Sequence, residues 1–270
     1  MQKTQKLEIL QWYYKMGVND ITDHQPRDYN VKIEKEELLP LNKTNITEQI
    51  LFDQESVISN SMNSKEIVLY SKELAEKCKT VDELREALMK FDGCLLKKTA
   101  TNTVFSDGNP KAKIMIIGEA PGANEDIQGI PFCGDSGKLL DNMLSFIGLN
   151  RKDNLYVTNA IFWRPPGNRK PTPNEIATCL PWVERHIALF QPKFIILAGS
   201  TSVSAILGMN EAMSKIRNKF YDYQNSYSEN PIPTAVIFHP SYLLRQPSQK
   251  KLAWLDLLKI KQYLQKNNIL

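Results

Sequence analysis

The sequence predicts an α/β fold: a three-layer sandwich whose central four-stranded parallel sheet carries helices on both faces. Three features lead there. Four short apolar, β-rich runs occur at residues 114–117, 155–161, 194–197 and 235–238. Segments of helical periodicity lie between them. Capping residues and glycines frame those segments. Strands alternating with helices require right-handed crossovers, which build a parallel sheet covered on both sides.

Taken in order, residues 4–16 place Leu7, Leu10 and Tyr14 at helical spacing, Ile9, Tyr13 and Met16 widen that face, and Gly17 stops it. An amphipathic helix is expected within residues 1–20. Residues 21–64 are rich in Asn, Asp, Glu, Ser and Thr with no sustained period, and read as a linker or poorly ordered arm that includes His24. A single globular domain is expected over 65–270. Thr80 and Glu83 form a capping box for a helix through Leu84, Leu88 and Met89, ended by Gly93. Ser136 caps a helix bearing Leu139, Leu140, Met143, Leu144 and Ile147. Thr172 and Glu175 make a second capping box, with Pro173 at the first helical position. Pro181 is expected to kink or interrupt the helix that follows. Ser200 opens a short helix closed by Gly208, and a last helix spans about 248–264.

The composition fits a globular protein: 270 residues, 42% hydrophobic and 24% charged. It excludes a collagen-like, coiled-coil or wholly disordered chain. No apolar run approaches the ~18 residues a spanning helix needs. Lys3, Lys6, Glu8 and Lys15 break any signal-peptide pattern, so a cytoplasmic protein is expected, with no membrane partner. The net charge of +4 is unevenly spread. Residues 1–80 hold 11 basic and 13 acidic side chains, leaving 23 of 34 and 17 of 30 for residues 81–270, so −2 stands against +6. Cys78, Cys94, Cys133 and Cys179 show no C-x-x-C spacing, and neither a disulfide framework nor a metal site follows from spacing alone.

Open α/β sheets bind ligands beyond the carboxyl ends of their strands. The first strand is followed by Gly118-Glu-Ala-Pro-Gly122, then Glu125 and Asp126, then Pro131-Phe-Cys-Gly134. Asn159 and Arg164-Pro-Pro-Gly-Asn-Arg169 follow the second, Gly199-Ser200 the third, and His239-Pro-Ser-Tyr-Leu-Leu-Arg245 the fourth. His239 ends a buried strand and is the histidine best placed for function, whereas His186 reads as an ordinary surface or boundary residue. Glu119 at a strand end is costly unless hydrogen-bonded. Glu125 and Asp126 fit a solvated loop face equally well. The glycine loop lacks both the dinucleotide fingerprint and the P-loop Lys-Ser/Thr, which disfavours nucleotide-cofactor and NTP enzymes.

The three motifs GEAPG-ANED-IQG-IPFCG-DSG, N-AIFW-RPPGNR-KPTPNE and HPSYLLR, in that order, resemble family 4 uracil-DNA glycosylases over roughly residues 80–266. The resemblance implies a DNA repair glycosylase that flips uracil out of DNA and hydrolyses its N-glycosidic bond. It casts Glu119, Glu125 and His239 as catalytic, with Glu119 the favoured acid, and Gly118, Phe132 and Asn159 as uracil-binding. It places Arg164, Asn168, Arg169, Ser241, Tyr242, Leu243, Leu244 and Arg245 at the DNA, the last loop entering the minor groove as an apolar wedge does. Members of the family hold a [4Fe–4S] cluster on four cysteines. Here Cys94 and Cys179 match two ligands, while Phe91 and Trp163 stand at the other two positions, so no cluster is expected and those rings are expected to pack together. The implied partner is uracil-containing DNA, single- or double-stranded, bound by a monomer. The N-terminal arm is open to a repair or replication partner. Two alternatives stay open: a non-catalytic DNA-binding member, and a glycosylase preferring another deaminated base.

Overall fold

The computed structural model describes residues 11, 12, 14, 15 and 63–270. Gln11, Trp12, Tyr14 and Lys15 are helical, as the N-terminal periodicity predicts, and Trp12 packs on Trp254 with ring centroids 5.1 Å apart. The rest of the expected first helix, His24 and nearly all of the 21–64 arm lie outside the described residues.

From Asn63 onward the elements are α1 (Ser64–Lys77), α2 (Val81–Lys90), α3 (Leu96–Thr99), β1 (Ser106–Gly108), β2 (Ile114–Gly118), α4 (Ala123–Gln128), α5 (Asp135–Ser145), β3 (Leu155–Asn159), α6 (Pro173–Phe190), β4 (Phe194–Ala198), α7 (Ser200–Leu207), α8 (Met213–Ile216), β5 (Phe220–Tyr223), β6 (Ile232–Ile237), α9 (Pro240–Arg245) and α10 (Lys250–Lys266). The sheet order is β1-β3-β2-β4-β6-β5. Its four central strands are parallel and coincide with the four predicted runs. The sheet is nonetheless six-stranded and mixed, because β1 and β5 pair antiparallel on the two edges. Neither edge carries the apolar run that marks a buried parallel strand: β1 is Ser-Asp-Gly, and β5 is largely solvent-facing.

Alternation along the strands builds the two outer layers. Ile114 and Ile116 of β2, with Phe194 and Ile196 of β4, face a core shared with α5 and α10. Met115 and Ile117, with Ile195 and Leu197, face the opposite core, shared with α1, α2 and α6. Successive side chains of a strand point to opposite faces, so both faces are apolar and both are covered.

Local signals act only in part as predicted: Ser136 and Ser200 lie inside their helices, which are capped by Gly134 and Gly199 instead. The Thr172–Glu175 box is complete: Glu175 N donates to Thr172 Oγ1 at 3.3 Å, and Thr172 N donates to a Glu175 carboxylate oxygen at 2.7 Å. The Thr80 box is only half formed, because Glu83 accepts from Lys79 N instead. Pro181 does not interrupt α6, which runs through it for 18 residues. His186 is a correction. It is fully buried, with its ring stacked 4.4 Å from Phe105 and hydrogen-bonded to the Tyr156 hydroxyl. α6 lays that face on the sheet, a tertiary choice that the local sequence does not encode.

Candidate active site

β2 and β4 lie side by side, yet the chain leaves them toward opposite edges, and a crevice opens beyond their carboxyl ends. A cleft of about 870 Å³ occupies that place. Ten of the predicted site residues line it: Glu119, Glu125, Phe132, Asn159, Asn168, Arg169, His239, Ser241, Tyr242 and Arg245. Asn159 ends β3, and the other nine come from the segments that follow β2, β3 or β6.

Asn159 ends β3, buried, and its Oδ1 lies against Gly118. A Cβ on Gly118 would strike both that oxygen and the Phe132 ring, so glycine is what lets the three approach. Phe132 is buried, has a left-handed backbone with φ 53°, and stacks on the His239 ring at 5.7 Å. An aromatic wall and a buried amide thus share one corner of the cleft.

His239 precedes α9 and caps it. Ser241 N donates to His239 Nδ1 at 3.2 Å. Nδ1 therefore accepts, the neutral ring carries its proton on Nε2, and Nε2–H is the group left to donate. Burial lowers the His239 pKa below the ordinary histidine value, against the opposing pull of the Glu119 and Glu125 charges. The site presents a neutral donor.

The two acids differ. Glu119 stands in the cleft with one oxygen taken by the Thr201 hydroxyl at 2.6 Å. Glu125 is buried and spends both oxygens on backbone: one accepts from Gly122 N at 3.1 Å, the other from Gly134 N at 2.8 Å. It ties the loop after β2 to the turn that carries Phe132. Asp126, also buried, accepts from Thr101 and Asn102. A solvated loop face is thus ruled out for both Glu125 and Asp126.

Among the predicted DNA contacts, Leu243 is corrected. Its side chain is 0% exposed and belongs to the α5–α10 core, while Leu244 is 45% exposed. HPSYLLR folds as helix α9, so neighbouring residues turn about 100° apart and cannot share a face. Arg245 is exposed, and Tyr242 packs on Phe238 at 5.1 Å while lining the cleft. Arg164 donates to Asn168 Oδ1 at 2.8 Å and stands outside the cleft lining. Arg169 forms a bidentate pair with Glu175 at 2.6 and 2.9 Å. Leu244→Ala is expected to leave stability within about 0.5 kcal/mol and to lower activity on duplex DNA on the order of tenfold, with a smaller loss on single strands. Leu243→Ala is expected to cost roughly 2–5 kcal/mol of stability. Denaturant melts beside paired duplex and single-strand assays check both.

Thr201 and Arg151, which hold Glu119 and the Phe132 turn, were missed by sequence reasoning. No local signal marks them, because their partners lie 82 and 19 positions away.

The two positions where the resemblance implies cluster cysteines, Phe91 and Trp163, are packed among rings. Phe91 lies 6.5 Å from Trp163 and 5.2 Å from Trp182, all three buried. The expected packing of Phe91 against Trp163 is thus present. Cys94 and Cys179 are buried, and the influence of Cys94, aided by burial, holds the Cys179 thiol well above the usual range. The Cys78 thiol turns to Leu74 O at 3.3 Å. Among the described residues no group of three or more His, Cys, Asp or Glu could hold a metal ion. Two thiols in an aromatic core do not fit a cluster that needs four thiolates.

Residues 105–259 match the family model of the uracil DNA glycosylase superfamily, and the chain belongs to that superfamily. Its similarity is to the type-4 uracil-DNA glycosylases. It is 40% identical over 190 residues to the one from Saccharolobus solfataricus, covering 68% of this chain and 86% of that protein. It is 37% identical over 188 residues to the one from Sulfurisphaera tokodaii (68% and 84%), and 36% identical over 184 residues to the one from Thermotoga maritima (67% and 93%). Within the superfamily the chain is therefore a member of the type-4 family. No helix among the described residues is long and apolar enough to cross a membrane.

Proposed function

We propose that this protein is a cytoplasmic DNA repair enzyme that flips uracil out of single- or double-stranded DNA and hydrolyses its N-glycosidic bond, leaving an abasic site. The convergence of Asn159, Phe132, Glu119 and the Nε2–H of His239 on one cleft carries the reading. The extruded base stacks on Phe132. Asn159 offers an amide N–H to uracil O4 and its oxygen to N3–H, a pairing that fits the uracil edge. As the C1′–N1 bond breaks, the pair of electrons goes to the base and positive charge grows on the sugar. His239 Nε2–H stabilises the uracil anion at O2, as an oxyanion hole would. Glu119, held by Thr201, stabilises the cationic sugar and orients the water whose oxygen bonds C1′, while the proton that water sheds ends on the uracil anion. Glu125 acts through the loops it joins. Leu244 and Arg245 meet the DNA, the first as wedge and the second at a phosphate.

The test is release of free uracil from a labelled oligonucleotide, with Asn159→Ala as control. Salt-dependent DNA binding with no abasic product would overturn the assignment in favour of a binding module. We further propose that the enzyme works without an iron–sulfur cluster. Protein purified anaerobically is expected to hold far less than the about four irons per chain of a cluster and to keep its activity after iron chelation. A brown protein with stoichiometric iron would refute this.

A further inference from the structure

The backbone of the aromatic wall is in a costly conformation. Phe132 has φ 53°, and a non-glycine residue keeps that left-handed conformation only where its surroundings over-determine it. The structure shows what does so. Arg151, in the loop between α5 and β3, donates Nη1 to Pro131 O at 2.7 Å and Nη2 to Phe132 O at 2.6 Å. The same guanidinium is anchored from behind: Nη1 to Asp107 of β1 and Nε to Asp141 of α5, each at 2.9 Å. Its side chain is 16% exposed. Below the turn, Gly137 lies so close to Phe132 O that a Cβ there would collide with it. Two successive carbonyls facing one fork of donors is an arrangement that a planar guanidinium satisfies and a lysine cannot, since lysine is a point charge on a flexible stem.

We propose that Arg151 is a positioning residue for base recognition: it locks the Pro131–Phe132 turn in its left-handed geometry and thereby sets the height and tilt of the ring on which the extruded base stacks. The inference rests on the uracil-excision reading above. Arg151 touches no substrate. It acts through Phe132, and the ion pairs with Asp107 and Asp141 keep the fork oriented.

A double-mutant cycle of Arg151→Met and Phe132→Ala tests it, read at a temperature well below both melting points. The readouts are single-turnover uracil release, inhibition by free uracil and affinity for abasic-analogue DNA. Arg151→Met alone is expected to lower the rate on the order of 100-fold, the effect of a misplacement of about 1 Å, and to weaken inhibition by free uracil. DNA affinity should change by less than about threefold, because the DNA-facing residues are untouched. In the Phe132→Ala background the same change is expected to add little, because the ring it positions is gone. Arg151→Lys, which keeps the charge but not the fork, is expected to lose about tenfold and serves where the Met variant does not fold. Losses that multiply in the cycle, or a Lys variant with unchanged uracil inhibition, would overturn the proposal while leaving the enzyme's function standing. Failure of the wild-type protein to release uracil would overturn both.

Discussion

His239→Ala is expected to lower the rate of uracil release by about 100- to 1,000-fold, the loss typical of removing one donor from an oxyanion hole. Two of the ring's atoms do different work. Nδ1 accepts from Ser241 N and caps α9, while Nε2–H is left for the leaving group. Alanine removes both, and loss of the cap alone costs on the order of 1 kcal/mol of stability. His239→Asn separates them, since an Asn side chain still caps a helix but does not reach where Nε2 stood. The Asn variant is expected to melt near wild type and to be nearly as slow as the Ala variant. The pH dependence carries a further signature. Burial lowers the His239 pKa, so the ring is neutral in the fold at neutral pH, and the acidic limb of the rate profile is expected below the ordinary histidine value. Single-turnover rates from pH 5 to 9 check it. A limb that rises through about 6.5 would show that the histidine titrates as an exposed one does.

The central sheet was legible because buried parallel strands are written as continuous apolar runs, and the loops after them as Gly, Pro and polar residues. Ten predicted residues line the cleft because the ends of β2, β3 and β6, and the segments that follow them, open onto it. The edge strands were not legible. Ser106-Asp-Gly108 becomes a strand only because β3 offers it hydrogen-bond partners. The resemblance implies that Tyr242, Leu243 and Leu244 form one apolar wedge, an arrangement that a loop allows. The proline after His239 also suits the first turn of a helix, and a six-residue helix splits the two leucines between core and solvent. The resemblance casts Glu125 as catalytic, but its backbone partners, Gly122 N and Gly134 N, are defined only once the two loops meet. Arg151 is the extreme case. Its four partners come from β1, the Phe132 turn and α5, and no window of sequence contains them all.

His186 makes the second large effect, and it falls on stability. Its ring is wholly buried between Phe105 and Tyr156, and its pKa is pushed down to about 3, first by burial and then by the Arg85 charge. Arg85 sits over the Phe105 ring at 5.8 Å, the same ring on which His186 stacks. The Tyr156 hydroxyl lies 2.7 Å from Ser106 Oγ and 2.9 Å from His186 Nε2. Nδ1 is buried without a hydrogen-bond partner. A doubly protonated ring would therefore hold a buried N–H with nothing to receive it, next to a fixed positive charge. The sign follows. Above pH about 6.5 the ring is neutral in the folded and the unfolded chain, and it adds no pH dependence. As the pH falls from there toward 3, the unfolded chain takes up a proton that the fold refuses, and this one residue withdraws stability at about 1.4 kcal/mol per pH unit. Denaturant melts from pH 7.5 down to 4.5 measure it, taken as the difference between wild type and His186→Gln so that titrating carboxylates cancel. Glutamine keeps a hydrogen-bonding group for Tyr156 and does not titrate. The variant is expected to be less stable at pH 7.5, having lost the ring stack, and to converge with or overtake wild type as the pH falls. Parallel curves across that range would mean that the folded protein opens enough for His186 to be protonated where it stands.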